Sequence, residues 1–79
     1  MNLIDLNISK NKIKDIISLN NLFGVVNLNL RDNQISDISV LHNMVHLIDL
    51  NTGLNKIKDI SPLKNITNLT NLIISGNKI

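Results

Sequence analysis

Leu28-Asn29-Leu30-Arg31-Asp32-Asn33-Gln34-Ile35 is the stretch on which the rest of the sequence is built. Its frame is L-x-L-x-x-N-x-I. The same frame stands 22 residues earlier as Leu6-Asn7-Ile8-Ser9-Lys10-Asn11-Lys12-Ile13. It stands 22 residues later as Leu50-Asn51-Thr52-Gly53-Leu54-Asn55-Lys56-Ile57, and once more at that interval as Leu72-Ile73-Ile74-Ser75-Gly76-Asn77-Lys78-Ile79. No residue is inserted or lost between copies. A constant interval means that each copy holds the same place in a repeating structural unit.

Counting Leu3 as position 1, the units run 3–24, 25–46 and 47–68, with a partial unit 69–79, and residues 1–79 read as one array. Position 4 is Leu6, Leu28, Leu50 and Leu72; position 6 is Ile8, Leu30, Thr52 and Ile74. These alternate with polar residues at positions 3, 5 and 7, the mark of a short strand with one buried face. Beyond the strand the apolar interval becomes three, as in Ile35, Ile38, Leu41, Met44 and Leu47. That interval fits 3₁₀ turns or extended arcs better than an α-helix. A strand, a turn and a narrow return make one coil of a solenoid, so we expect parallel strands stacked about 4.8 Å apart. Strands should line a concave face and the 3₁₀ or extended segments a convex one.

Two polar columns need an explanation inside such a stack. Position 9 is Asn11, Asn33, Asn55 and Asn77. An amide in that register is expected to point inward and bond backbone groups of its own coil and the next one, since buried polar groups must be satisfied. Position 13 is Asp15, Asp37 and Asp59. Each is expected to accept N–H bonds at the start of the return that follows it, rather than to ligate a metal. Position 2, Ile4, Val26 and Ile48, is expected to pack beneath the preceding turn.

Bulk properties exclude several functions. The 79 residues carry no cysteine, so no disulfide framework or thiolate metal site is expected. A net charge of +2 with one aromatic residue argues against nucleic acid, which needs a basic footprint and stacking platforms. No apolar run approaches the roughly 20 residues that span a bilayer, so no membrane insertion is expected. Asp5 interrupts the first apolar run and no basic segment precedes it. That start does not read as a signal peptide, and it favours a cytoplasmic location. His42 and His46 are four apart on the return but lack a third ligand, and read as solvated. No cofactor is expected, nor any nucleophile–base pair, and the chain does not read as an enzyme.

The repeated frame identifies the chain as similar to leucine-rich repeat proteins of the 22-residue subclass. The segment Ile57-Lys58-Asp59-Ile60-Ser61-Pro62-Leu63-Lys64-Asn65-Ile66-Thr67-Asn68-Leu69 resembles repeats of bacterial internalins. Its I-x-D-I frame also resembles phosphatase-regulating repeat proteins of eukaryotes. The resemblance implies an α/β-type repeat solenoid whose concave sheet face binds another protein. Candidate contact residues are then the outward ones: Asp5, Asn27, Asp49 and Asn71 at position 3, and Asn7, Asn29, Asn51 and Ile73 at position 5. Arg31 at position 7 is the one long charged donor among them. The implied role is a protein-interaction module within a longer array. Alternatives are a regulatory subunit of an intracellular protein phosphatase and a segment of an internalin-like surface adhesin. Apolar layers at the array ends also predict end-to-end self-association.

Overall fold

Alternating apolar and polar residues at the start of each unit fold as expected into short strands. In the computed structural model, which describes residues 4–79, these are β1 (Asp5–Asn7), β2 (Asn27–Asn29), β3 (Asp49–Asn51) and β4 (Asn71–Ile73). They form one parallel sheet in the order β1-β2-β3-β4. Leu6, Leu28, Leu50 and Leu72 are aligned across it, so the register follows the repeat frame without a slip. Each chain return contains a 3₁₀ segment, at Ile17–Asn21, Ser39–Asn43 and Ser61–Leu63. The interval of three thus reports the true backbone period. Pro62 sits in the first turn of the last segment, where a missing N–H breaks nothing.

The core lies between the sheet and these returns. Leu30, Ile35, Leu41, Leu47 and Ile57 are 0 % exposed and belong to one apolar cluster. All five lie in the second and third coils, which have neighbours on both sides. Leu6, Ile8 and Ile13 of the first coil are only part-buried against the same cluster. Thr52 takes an aliphatic position and is fully buried, with its hydroxyl donating to the Ile73 carbonyl at 3.3 Å. The position 2 column departs from expectation: Ile4 is 53 % and Ile48 40 % exposed, with Val26 part-buried. Periodicity places that column at the sheet rim but does not say whether a turn covers it.

Asn33 and Asn55 of the asparagine column are buried as expected, while Asn11 of the first coil is exposed, and the partners need one correction. Asn33 Nδ2 donates to the Leu30 and Arg31 carbonyls of its own coil and to the Ile8 carbonyl of the preceding one. Its Oδ1 accepts from the Ile13 N–H, again of the preceding coil, at 3.1 Å. Asn55 repeats this with Thr52, Gly53, Leu30 and Ile35. The amides therefore reach back along the stack rather than forward to the next coil. Direct backbone bonds join the same coils, as in Gln34 N–H to the Ile13 carbonyl and Lys56 N–H to the Ile35 carbonyl.

A tight turn after each strand makes room for this ladder. Position 8 adopts the left-handed conformation in every copy: φ is 57° at Lys10, 61° at Asp32, 55° at Leu54 and 75° at Gly76. Only Gly76 is built for it. A non-glycine residue there costs on the order of 1–2 kcal/mol, and Asp and Asn cost least. Leu54 is also 46 % exposed, so its side chain gains little in return. Leu54→Asn should raise the thermal midpoint, by the equivalent of about 1 kcal/mol. Calorimetric melts of the two chains decide it; a lowered midpoint would mean that the Leu54 side chain, which lies against Gly76, contributes more than the strain costs.

The aspartate column starts the returns as expected. Asp15, Asp37 and Asp59 each accept through Oδ1 from the N–H two residues on, at 2.9 Å. The Ser39 N–H, with help from the Ser39 side chain, holds the Asp37 carboxyl below its ordinary value of 3.8. Ser61 does the same for Asp59. A carboxylate whose pKa is lowered by folding stabilises the native state above its unfolded pKa. That contribution disappears as pH falls through the lower, folded value. Stability should therefore decline below pH 3.8 in part through these two groups, and Asp37→Asn should flatten the decline. Urea midpoints measured across the acid range for both chains test this; parallel curves would show that Asp37 titrates alike in both states.

Candidate functional site

The ladder and the core use positions 4, 6 and 9, which leaves positions 3, 5 and 7 on the outer face of the sheet. Every sequence-predicted contact residue is found there, carried by β1 to β4 or, for Arg31, two residues beyond the end of β2. The face is ordered by its own hydrogen bonds. At position 3, Asn27 Nδ2 donates to Asp5 Oδ1, and Asn71 Nδ2 donates to Asp49 Oδ1. Amide and carboxylate alternate down this column, which avoids the repulsion of like charges on neighbouring strands.

Position 5 is less free than strand alternation implies. Asn29 Oδ1 accepts from the Arg31 N–H and Asn51 Oδ1 from the Gly53 N–H, both at 3.0 Å. Asn7 Oδ1 accepts from the Ser9 N–H at 3.0 Å and from its hydroxyl at 2.7 Å. Such local side-chain-to-backbone bonds cover N–H groups at the end of a strand. These amides are thus supports for the chain turn as well as candidate contacts. In β4 the place is taken by Ile73, which is 44 % exposed.

Position 7 holds the largest surprise of the face. Arg31 is part-buried, and its guanidinium lies over Gly53 on the next coil. A Cβ built on Gly53 would meet Arg31 Nη1 at 2.6 Å. The glycine therefore makes the bed in which the arginine lies, and is itself buried beneath it. The sequence shows both residues in one column but gives no sign that one covers the other.

Between columns 3 and 5 runs a shallow depression of about 220 Å³. Asn27, Asp49 and Asn71 form one wall, Asn51 and Ile73 the other. Its floor lies at Leu28 and Leu50, each only 2 % exposed. On the opposite, convex side, His42 and His46 are exposed, and His42 Nδ1 lies 2.6 Å from the Ser39 carbonyl. Among the described residues, no three His, Cys, Asp or Glu side chains stand close enough to hold a metal ion. No helix among them is long and apolar enough to cross a membrane.

Comparison with known proteins agrees with this geometry. The family described as Leucine Rich repeats (2 copies) matches residues 25–65. No curated protein sequence matches the chain significantly. Among solved structures, an internalin from Listeria monocytogenes is 41 % identical with a TM-score of 0.93, over 95 % of this chain and 22 % of its own. Internalin C2 from Listeria monocytogenes is 33 % identical with a TM-score of 0.93, over 95 % of this chain and 33 % of its own. The chain thus spans a third or less of the length of these two structures. The register of the sheet, the 3₁₀ returns, the family match and the internalin likeness agree: the chain belongs to the leucine-rich repeat family, in its internalin-like form.

Proposed function

We propose that residues 1–79 act as one stretch of a longer array and bind a protein partner across the outer face of the sheet, without cofactor or catalysis. The observation that supports this reading is the division of labour within each coil. Positions 4, 6 and 9 hold the stack together, and a separate set, from Asp5 to Ile73, lies on a rigid outward face. Side chains on ordered elements lose less entropy when they bind. Leucine-rich repeat domains typically serve such interactions. Of the narrower readings, a segment of an internalin-like surface adhesin is favoured by the 41 % identity to an internalin. The phosphatase-regulatory reading rests on the I-x-D-I frame alone. Nucleic acid is not the partner of this reading, because the charge of +2 is small. For the isolated chain, Leu72 and Ile79 leave an apolar end layer that favours end-to-end self-association.

The test is capture of partners by the immobilised chain, read by mass spectrometry, with two charge reversals compared. Arg31→Glu on the sheet face should reduce capture several-fold or more, because complementary charge fixes register and partner choice. Lys58→Glu, exposed on the far edge, should capture normally. Circular dichroism should be the same for both. If Lys58→Glu loses the partner while Arg31→Glu keeps it, recognition runs along the edge and the sheet-face reading is wrong.

A further inference from the structure

The depression between columns 3 and 5 has an asymmetry that narrows the partner. One wall carries the part-buried carboxylate of Asp49, which accepts a hydrogen bond at Oδ1 from Asn71 Nδ2. The other wall ends in the exposed aliphatic side chain of Ile73, where the preceding strands carry Asn. The floor is strand backbone, because Leu28 and Leu50 turn their side chains inward. Arg31 does not neutralise the site: it is on column 7, and its guanidinium is taken up over Gly53. Column 7 is four residues along the strand from column 3, about 13 Å away.

We propose that this depression receives a lysine or arginine side chain from a basic, extended segment of the partner protein, an inference that rests on the protein-binding reading above. The two walls are two residues apart along a strand, about 6.6 Å, which admits an aliphatic stem lengthwise. The stem lies on the backbone floor and against Ile73, and the cationic head reaches the Asp49 oxygen not used by Asn71. Long cationic side chains bury their stems in this way while keeping the head beside polar groups. The lining of the depression is mostly apolar, which suits the stem, whereas a wholly apolar ligand that also covered Asp49 would desolvate a carboxylate without compensation. An acidic ligand would meet like charge at close range. Asn71 adds to the fit: its amide fixes the Asp49 carboxylate, so less freedom is lost when a cation binds. The same amide–carboxylate pair recurs at Asp5 and Asn27. The two carboxylates are two coils apart, about 10 Å. In a polyproline II segment residues i and i+3 share one face about 9.3 Å apart, so the best segment is of that kind and carries basic residues at i and i+3.

Amide chemical-shift titration of the isotope-labelled chain tests the proposal. The probe is a blocked six-residue peptide, Ala-Lys-Ala-Ala-Lys-Ala, with two controls in which norleucine or glutamate replaces lysine. The lysine peptide should shift the amides of Asp49, Asn71 and Ile73 saturably, and bind at least about tenfold more tightly than either control. Asp49→Asn should remove most of that preference while leaving the spectrum otherwise folded. Ile73→Asn should weaken the lysine peptide without abolishing its advantage over glutamate. Equal binding of the lysine and norleucine peptides, or no saturable shift at these amides, overturns the proposal. If the preference for lysine is absent but partner capture still depends on Arg31, this inference fails and the protein-binding reading stands. If both are absent, that reading fails with it.

Discussion

Asn33→Ala should lower the stability of the chain by about 3 kcal/mol, a large fraction of what so small a stack possesses. The side chain is 7 % exposed and closes four hydrogen bonds, to Ile8, Leu30, Arg31 and Ile13. Alanine removes the partner of each. An unsatisfied buried backbone group costs about 1–3 kcal/mol, and water that reaches some of the four lowers the sum. Asn33→Asp should be no milder: it keeps an acceptor for the Ile13 N–H but sets carboxylate oxygen against three carbonyl oxygens. Asn11 supplies the internal comparison, because it is exposed and donates only within its own coil, to Ile8 and Ser9. Its alanine variant should cost well under half as much. Urea midpoints of the three variants are the measurement. Equal losses for Asn11→Ala and Asn33→Ala would mean that the bonds to the preceding coil contribute nothing.

The second large effect is a gradient along position 11, where all four copies carry isoleucine. Ile35 and Ile57 are 0 % exposed, Ile13 is part-buried and Ile79 is 60 % exposed. Residue type and register are constant, so only the neighbouring coils differ. Ile35→Ala and Ile57→Ala should each cost about 2–5 kcal/mol, from lost burial plus the cavity left behind. Ile13→Ala should cost less, and Ile79→Ala should stay within about 0.5 kcal/mol. Thermal melts at equal concentration give the order. A loss at Ile79 as large as at Ile35 would show that the last apolar layer is covered, as end-to-end association would cover it.

Much of this architecture is legible in the sequence because it is periodic. A constant interval transmits register, so the strands, the inward Asn33 and Asn55, and the Asp37 and Asp59 return starts all follow from one frame. Features that break periodicity are not legible in the same way. The left-handed backbone at position 8 is announced only by Gly76, while Lys10, Asp32 and Leu54 conceal it. Alternation correctly sends Asn29 outward, yet a short amide on the surface can still turn back onto its own chain, as Asn29 does to Arg31. The direction of the ladder, back rather than forward, is not given by spacing. Arg31 lies over Gly53 because a long side chain chooses among rotamers by what the next coil leaves open. Phe23, the one aromatic residue, is 52 % exposed in the turn before β2, a place that belongs to none of the columns considered.

The central claim is that neighbouring coils are held in register by the backbone and amide ladder at positions 6, 8, 10 and 11. Residue-resolved amide hydrogen exchange of the unmodified chain reads that ladder directly, since exchange reports the local opening of each bond. Leu30, Asp32 and Gln34 donate to neighbouring coils through the backbone, and Ile35 donates to Asn55 Oδ1. These amides should be protected together, and Thr52, Leu54, Lys56 and Ile57 should follow one repeat later. The exposed Ser36 and Asp37 should exchange freely between the two groups. Protection that recurs every 22 residues is the expected result. An unbroken protected block from Gln34 to Met44, as a long helix would give, would contradict the account.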